Sequence, residues 1–123
     1  LDTDLHSIQY INAGHNPPLL FYKNTTSFIE LNKGCVMLGA FEKLPFVDLE
    51  HINYNHPALL FAYTDGLIET TDPNVDTEQS IHLIKSFIRR YNDPQQLHAA
   101  INAHLAHHTH WMDDITFLSC HLQ

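Results

Sequence analysis

The sequence predicts an α+β domain in which an antiparallel sheet is layered with helices, and two observations support this class. Short apolar strand patterns linked by hairpin-type turns fill the first half of the chain, and hairpin links join antiparallel strands. Two amphipathic helical patterns occur only later, between the strand patterns ALLFAY and ITFLSCHL. Five or six strands with two helices inserted late define an α+β domain.

The first half of the chain contains four of the strand patterns. Apolar residues alternate in HSIQYI, at 6–11, until the glycine and prolines of NAGHNPP end the pattern. Strands are also predicted at 19–22, at 28–31 after the hairpin turn YKNTTSF, and around 46–54. In GCVMLGAF, at 34–41, two glycines flank apolar residues, which predicts a loop that packs down onto the domain.

Two strand patterns are apolar on both faces, which is typical of strands covered on both sides. Residues 58–63 (ALLFAY) form an unbroken apolar run, and the front half of ITFLSCHL, at 115–122, has the same character. Both strands are therefore predicted to lie in the centre of the sheet.

Two helices are predicted between these strands. The first has Asp76 or Thr77 as its N-cap, and its apolar stripe consists of Ile81, Ile84, Phe87, Ile88 and Tyr91. The second begins at Pro94, because proline suits the first helical position after Asp93. Its predicted buried stripe contains Leu97, Ile101, His104 and Leu105 and extends to His108.

The charge balance restricts the partners of the chain. Its 123 residues carry a net charge of −8, from 14 acidic and 6 basic residues. Nucleic acids and anionic membranes require Lys and Arg stripes, so neither is an expected partner, whereas cations are. No apolar stretch reaches the roughly 20 residues of a membrane span, so no membrane insertion is expected.

The cysteines and the absence of a leader pattern favour a cytoplasmic location. The 2 cysteines, Cys35 and Cys120, lie far apart and are expected to be free thiols. No basic segment followed by an apolar one opens the chain. The expected location is the cytoplasm, either as a separate protein or as the cytosolic portion of a membrane-anchored sensor.

Carboxylates stand at one end of each of the two doubly apolar strands. Asp65 follows 58–63, and Asp113 and Asp114 precede ITFLSC. If the strands are antiparallel neighbours about 4.8 Å apart, these ends lie at the same rim of the sheet. Grouped carboxylates repel one another, whereas a hard cation such as Mg²⁺ or Mn²⁺ neutralises them and prefers oxygen ligands. The sequence therefore predicts a metal site at this rim.

Two residues after Asp65 add to this prediction. Gly66 permits a tight turn with an accessible carbonyl, and Glu69 follows about one helical turn later on the same side. Each acidic group alone also suits a structural role, because Asp-Gly is a common turn and Asp-Asp a plausible cap. The metal-site prediction therefore depends on the two groups meeting.

Other chemistries have weaker support. Among 11 histidines, the cluster of His104, His107, His108 and His110 suggests a transition-metal site, and the spacing of His104 and His108 puts both on one helical face. That face is apolar, so packed histidines are the favoured interpretation. The sequence has no G-x-S-x-G elbow for a Ser/His/Asp hydrolase, and its 4 glycines exclude a P-loop or Rossmann turn. The helical stripes are interpreted as core, not as a docking surface.

The chain resembles a known family in four stretches. They are YINAGHNPPLLFY (10–22), KGCVMLGAF (33–41), LLFAYTDGLIET (59–70) and DDITFLSC (113–120). Their order and approximate spacing are similar to those of bacterial metal-dependent serine phosphatases of the stage II sporulation protein E type. These are protein phosphatase 2C-like enzymes, many of which regulate sigma-factor cascades. The resemblance covers nearly the whole chain.

The resemblance implies a β-sandwich flanked by helices, with a two-metal centre of Mn²⁺ or Mg²⁺ at one end. Water or hydroxide bridging the two cations would attack a phosphoserine or phosphothreonine. By motif, Asp65 and Asp113 are the metal-binding and catalytic carboxylates, and Gly66 belongs to the same metal set.

The same resemblance gives three residues lesser roles. Glu69 matches an acidic position that borders an accessory metal in some relatives. Asp114 stands where relatives often have Asn, which implies a role beside the ligands or in the turn. His15, in AGHN, is implied to support the site without binding metal.

One departure from the family matters. Relatives carry an earlier half whose Asp-Gly motif bridges the metals, and nothing before Tyr10 supplies it here. The chain also begins LDTD and enters a strand pattern within a few residues. Residues 1–123 are therefore predicted to be the C-terminal portion of a single phosphatase-like domain, incomplete at its N-terminal half, with weak metal binding and negligible activity alone. Uncovered sheet edges or an apolar face are expected to favour a homodimer.

Two functions from different classes follow. The first is a serine/threonine phosphatase that acts, as a full-length protein, on a phosphorylated regulatory protein, with a sensor or receiver domain upstream in the same chain. The alternative is a shortened, non-catalytic module that keeps the sandwich for protein binding.

Overall fold

The computed structural model of the chain describes residues 1–69, 74, 76–91, 93–107 and 113–123. These residues form a four-stranded antiparallel sheet, a two-stranded antiparallel ribbon, a two-residue parallel pairing and three helices. The predicted α+β class with antiparallel sheets is confirmed.

The elements follow the sequence order strand, helix, strand. The described strands are β1 (Ser7–Tyr10), β2 (Asn12–Ala13), β3 (Leu19–Tyr22), β4 (Ser27–Glu30), β5 (Gly34–Cys35), β6 (Glu50–Asn53), β7 (Ala58–Tyr63) and β8 (Phe117–Leu122). The described helices, which all lie between β7 and β8, are α1 (Asp65–Glu69), α2 (Thr77–Arg90) and α3 (Pro94–Leu105).

The four-stranded sheet has the strand order β4-β3-β7-β8. The β3–β4 hairpin forms one side, and β3 pairs with β7 in the register Leu19↔Phe61. On the other side of β7, β8 pairs along its whole length, from Ala58↔Leu122 to Tyr63↔Phe117. The prediction that the unbroken apolar run of β7 occupies the centre of the sheet is confirmed.

The prediction that 115–122 is also a central strand is wrong for the residues that the structure describes. β8 pairs with β7 alone and lies at the edge of the sheet. Phe117 packs against the helix-side core, whereas Leu118 on the opposite face is 62% exposed. The sequence does not distinguish an apolar side chain on an exposed face from one on a covered face, and for this reason the apolar pattern of 115–122 led to the wrong prediction.

One face of the sheet packs against the helices. The core between them contains Leu19, Phe21, Leu59, Phe61, Tyr63, Leu67, Ile68, Ile84, Ile88, Leu97, Ile101 and Leu105. Both longer helices begin at the predicted caps, because the side chain of Asp76 accepts from the Gln79 N–H and that of Asp93 from the Gln96 N–H. Each such cap stabilises a helix by roughly 0.5–2 kcal/mol.

The opposite face of the sheet is covered in part by the ribbon of β1 and β6. The side chains that meet there are Ile8, Leu20, Leu31, Tyr54, Ala58 and Leu122, with Ile52 and Cys120 packed at the margin. The described fold therefore has three layers, which are helices, sheet and ribbon. The ribbon stops short of Leu118, so the layer is incomplete toward the start of β8.

The segment between β5 and β6 differs from its prediction. Its ends are joined by a hydrogen bond from the Asp48 N–H to the Gly34 carbonyl, 2.9 Å. The apolar side chains between them do not pack down, as the sequence predicted, but are exposed: Met37, Leu38, Phe41, Leu44, Phe46 and Val47. The strand predicted over 46–54 is limited to Glu50–Asn53, because β1 offers four partner residues to β6.

Two expectations from composition concern the cysteines and the membrane. Cys35 and Cys120 are free and half-buried, as expected. Among the described residues, the longest helix has 14 residues, and no helix combines the length and the apolarity that crossing a bilayer requires.

Replacing Leu97 by alanine tests the helix-side core. Leu97 is 0% exposed, so Leu97→Ala should lower the free energy of unfolding by about 2–5 kcal/mol in urea denaturation. Leu118→Ala is the matched control, because a leucine that is 62% exposed should change it by less than about 0.5 kcal/mol. Equal losses in the two variants would contradict the layer assignment.

Stability should decline in alkaline solution because of Tyr63. Burial and, second, the negative charge of Glu30 raise the pKa of the Tyr63 hydroxyl above its ordinary 10.0. The unfolded chain therefore loses this proton first, so the contribution to stability is complete below about pH 10 and is lost as the pH rises through the raised pKa.

Urea denaturation between about pH 8 and pH 11 checks this effect. Tyr63→Phe should flatten the alkaline decline. Part of the decline should remain, because burial also raises the pKa of Tyr22. Tyr91→Phe, at the half-buried C-cap of α2, serves as the control, and an unchanged slope in Tyr63→Phe would contradict the prediction.

Candidate functional site

The two predicted acidic segments meet at one end of the strands of the four-stranded sheet, where β7 ends and β8 begins. Tyr63, the last residue of β7, pairs with Phe117, the first residue of β8, so the end of β7 lies beside the start of β8. The ladder extends one step further, since the Thr64 N–H donates to the Thr116 carbonyl at 2.9 Å. The segments that carry Asp65 and Asp113 therefore lie side by side, as the sequence argument requires. We call this the acidic edge, defined by 64–66 and 113–116.

Gly66 allows these segments to come close. It is buried in the first turn of α1, and a Cβ added there would lie 2.5 Å from the Asp114 carbonyl oxygen and 3.1 Å from that of Asp113. A side chain of any kind would collide with main-chain atoms. The Asp-Gly sequence therefore serves a close approach of two backbones in addition to starting the helix.

The carboxylates of the acidic edge make local hydrogen bonds and are exposed. Asp65 Oδ1 accepts from the Gly66 N–H at 3.0 Å, and Asp113 Oδ1 accepts from the Asp114 N–H at 2.7 Å. The ion pair found in the described part of the chain lies elsewhere, between Lys85 Nζ and Glu30 Oε1 at 2.6 Å. No described Lys or Arg therefore neutralises the acidic edge.

The carboxylate oxygens of the acidic edge are of the type that binds a hard cation, but too few of them are grouped among the described residues to hold one. Carboxylate oxygens are ligands that Mg²⁺ and Mn²⁺ prefer. Among the described residues, however, no three His, Cys, Asp or Glu side chains are grouped closely enough to hold an ion. Glu69, at the end of α1, is exposed and does not complete such a group. The described residues therefore do not by themselves form a metal site.

His15 lies in an ordered turn at the same edge of the sheet. This position follows from the register, because Leu19 at the start of β3 pairs with Phe61 near the end of β7. The His15 ring donates from Nδ1 to the Asn16 carbonyl at 2.7 Å, and the Asn12 side chain accepts from the His15 N–H at 2.8 Å. His15 therefore belongs to the turn, and no contact between its ring and the predicted carboxylates is found among the described residues.

Sequence reasoning missed two polar side chains at this edge. Asn12 organises the turn by also donating from Nδ2 to the Leu31 carbonyl at 3.1 Å. Thr64 bonds through its hydroxyl to the backbone of 114–116. The local signal for Asn12 was an Asn before Ala-Gly, a common turn context. For Thr64 no local signal exists, because its partners lie about fifty residues away in the chain.

A cavity of about 560 Å³ adjoins the acidic edge between α3 and the start of β8. The described residues that line it are Asn102, Leu105, Ala106, Asp113, Asp114, Ile115 and Phe117. Both carboxylate-bearing residues 113 and 114 therefore border a recess whose other described lining is largely apolar.

The histidine cluster is described only in part. The His104 ring lies 5.3 Å from that of Phe87, at the contact of α2 and α3, in line with the packed interpretation. His107 is exposed, and His108 and His110 lie outside the described residues. On α3, His98 Nε2 is hydrogen-bonded to Ser119 Oγ at 2.8 Å, which joins the helix to β8.

A comparison with protein families identifies the class of this fold and edge. The profile of the stage II sporulation protein E (SpoIIE) family matches residues 1–123, and the chain belongs to this family. The predicted resemblance is thereby confirmed. A search of curated protein sequences gave no match.

Solved structures of phosphatase domains share the fold. The RsbU and RsbW domains of a Mycobacterium tuberculosis protein are 28% identical, with a TM-score of 0.74 over 97% of this chain and 34% of that one. The phosphatase domain of the cell fate determinant SpoIIE from Bacillus subtilis is 15% identical, with a TM-score of 0.69 over 99% of this chain and 55% of that one.

A second Bacillus subtilis SpoIIE structure, with its protein phosphatase 2C domain and a fragment of the regulatory domain, gives 15% identity and a TM-score of 0.63. It is matched over 92% of this chain and 34% of that one. The chain thus spans between about a third and about a half of the structures it resembles. The predicted fold, a phosphatase-type sandwich present in part, is confirmed.

Gly66→Ala should disturb the acidic edge. The added methyl would lie 2.5 Å from the Asp114 carbonyl oxygen. This clash should lower the free energy of unfolding by about 1–3 kcal/mol. It outweighs the gain of up to roughly 1 kcal/mol from the higher helix propensity of alanine. The amide signals of Asp113 and Asp114 should shift in NMR spectra.

Gly39→Ala is the control for this variant. The same methyl there meets no atom within 4 Å, although the φ of +86° adds local strain. The signals of 113–114 should therefore stay in place. Unshifted signals in Gly66→Ala would contradict the close approach.

Proposed function

We propose that residues 1–123 form the C-terminal portion of a metal-dependent protein serine/threonine phosphatase domain. Membership of the SpoIIE family and the likeness to phosphatase domains support a phosphatase-type function. The observation that carries the proposal is the meeting of the Asp65 and Asp113 segments at one edge of the sheet, held by the Thr64–Thr116 bond.

The proposal gives each predicted residue a role at the acidic edge. Asp65 and Asp113 are metal ligands, Gly66 contributes its carbonyl, and Glu69 borders an accessory ion. Asp114 supports the turn, since its N–H binds the carboxylate of Asp113. The ion is Mn²⁺ or Mg²⁺, which carboxylate oxygens suit. The remaining ligands come from outside the described residues, as the incomplete grouping requires.

His15 has a structural role in this proposal. Its N–H and ring bind within the 12–16 turn, and that turn flanks the start of β3 at the same end of the sheet. A stable turn there restricts the approach to the acidic edge without adding a ligand.

The proposed substrate is a phosphoserine or phosphothreonine on a regulatory protein of the sigma-factor type. The similar Mycobacterium tuberculosis structure combines RsbU and RsbW domains, and one Bacillus subtilis structure includes a fragment of a regulatory domain. By analogy, we place a sensor or receiver domain upstream in the same chain and the site in the cytoplasm. The net charge of −8 argues against nucleic acids as partners, because they bind surfaces rich in Lys and Arg.

Hydrolysis of p-nitrophenyl phosphate with Mn²⁺ tests the enzyme. We expect negligible turnover by residues 1–123 alone and clear turnover when the sequence that the gene encodes upstream is included. In that longer protein, Asp65→Asn or Asp113→Asn should reduce turnover by roughly 100-fold or more, because loss of groups that merely support metal ligands already costs 10–100-fold.

Asp93→Asn is the matched control for these two variants. It makes the same change at an exposed aspartate that caps α3, and Asn is an equally good cap. Its turnover should equal that of the unchanged protein. Full activity of either Asp65→Asn or Asp113→Asn would refute the assignment.

A non-catalytic binding module is the second candidate, and two observations favour it. The described residues do not group three metal ligands, and the 36–49 segment exposes a run of apolar side chains. Exposed apolar surface of this kind is typical of protein contact sites, including homodimers. If the gene encodes no upstream half-domain and the protein shows no Mn²⁺-dependent turnover, this reading replaces the enzyme.

A further inference from the structure

We infer that Thr64 is a positioning residue for the acidic edge, holding segment 113–116 at a fixed distance from the start of α1 so that Asp65 and Asp113 act together. The inference rests on the proposed function as far as the purpose of this arrangement is concerned. The arrangement itself rests on the contacts of the Thr64 hydroxyl.

The Thr64 hydroxyl bridges two peptide units of the opposite segment. It accepts a hydrogen bond from the Thr116 N–H at 3.0 Å and donates to the Asp114 carbonyl at 3.1 Å, with the Thr116 carbonyl at 3.4 Å. A hydroxyl has one proton, so it donates to one carbonyl at a time, and the shorter contact is to Asp114. One side chain thus serves as acceptor and donor for neighbouring groups of one backbone.

This bridge begins where the strand ladder ends. The last described ladder bond of β7 runs from the Thr64 N–H to the Thr116 carbonyl at 2.9 Å, and residues 113–116 lie outside β8. Beyond that bond, hydrogen bonds of the Thr64 side chain connect the two segments. Among the contacts of the described residues, this hydroxyl makes the hydrogen bond that links the end of β7 to Asp114.

The Asp114 carbonyl is held from two sides. The Thr64 hydroxyl donates to it, and Gly66 approaches it so closely that a Cβ would come within 2.5 Å. The approach fixes the minimum separation and the hydrogen bond prevents the segments from drifting apart. Together they set the spacing of the backbones that carry Asp65 and Asp113.

Such a tie matters because the edge is acidic. Three exposed carboxylates, at Asp65, Asp113 and Asp114, repel one another, and no described Lys or Arg is paired with them. Uncharged hydrogen bonds to the backbone hold the segments together without consuming the carboxylate charge. That charge stays free to attract a cation.

Two variants of Thr64 separate the effect of its hydroxyl from that of the rest of the side chain, and a third variant is the control. Thr64→Val keeps the shape and removes both hydrogen bonds, and Thr64→Ser keeps the hydroxyl. Thr116→Val is the matched control, because the contacts of Thr116 described at this edge use its backbone and not its hydroxyl.

The first measurement is NMR hydrogen exchange on the 123-residue chain. In Thr64→Val, the protection factor of the Thr116 amide should fall about tenfold or more, and the nuclear Overhauser contacts between Gly66 and 113–114 should weaken. Thr64→Ser and Thr116→Val should both resemble the unchanged protein. Amides in the middle of β7 should keep their protection in all variants.

The second measurement is a titration with Mn²⁺, followed by paramagnetic broadening of amide signals. In the unchanged chain, signals of 65–66 and 113–114 should broaden at the same Mn²⁺ concentration. Thr64→Val should need several-fold more Mn²⁺, and Thr64→Ser should restore the original concentration.

Three results would overturn the inference. The first is unchanged exchange in Thr64→Val, and the second is a failure of Thr64→Ser to restore it, since the methyl group would then be the cause. The third is an equal loss of protection throughout β7, which would make Thr64 a residue for general stability. An absence of Mn²⁺ broadening in the unchanged chain would count against the proposed function instead, and the exchange experiment would still decide the role of Thr64.

Discussion

The antiparallel pairing of β7 with β8 is the constraint on which the rest of the structure depends. It joins a strand from the middle of the chain to its last strand, over the full register from Ala58↔Leu122 to Tyr63↔Phe117. The three helices that the structure describes lie in the connection between these strands, so the pairing closes the helical layer onto the sheet. It also brings the end of one strand and the start of the other to a common edge, where the acidic segments meet.

At that edge, backbone contacts bring together side chains that repel each other. Gly66 lets the first turn of α1 reach the 113–114 backbone, and Thr64 ties the same segment by its hydroxyl. Folding energy from the core, which includes Phe61 and Tyr63 of β7, thus holds the segments that carry these carboxylates side by side. A rigid scaffold positions the side chains of a site in this general way.

The incomplete ligand grouping and the uncovered apolar surface have a common explanation under the proposed function. The chain matches its family from end to end, yet spans about half of the similar phosphatase domain or less. A site shared between two halves of a domain would leave each half with too few ligands. It would also leave apolar side chains such as Leu118 exposed on the face that the ribbon does not reach.

The sequence by itself determined the elements whose signals are local. Periodicity and caps located α2 and α3, including Asp76 and Asp93, and the unbroken run 58–63 identified the central strand. Four stretches, at 10–22, 33–41, 59–70 and 113–120, indicated the family, and the positions of Asp65 and Asp113 predicted a shared edge. Only the tertiary structure decided what depends on distant neighbours. It placed β8 at the edge of the sheet, left the 36–49 segment exposed, and gave Thr64 partners at 114 and 116. Long-range hydrogen bonds and the covering of one strand by another segment are properties of pairs of segments, so the pattern of one segment alone does not determine them.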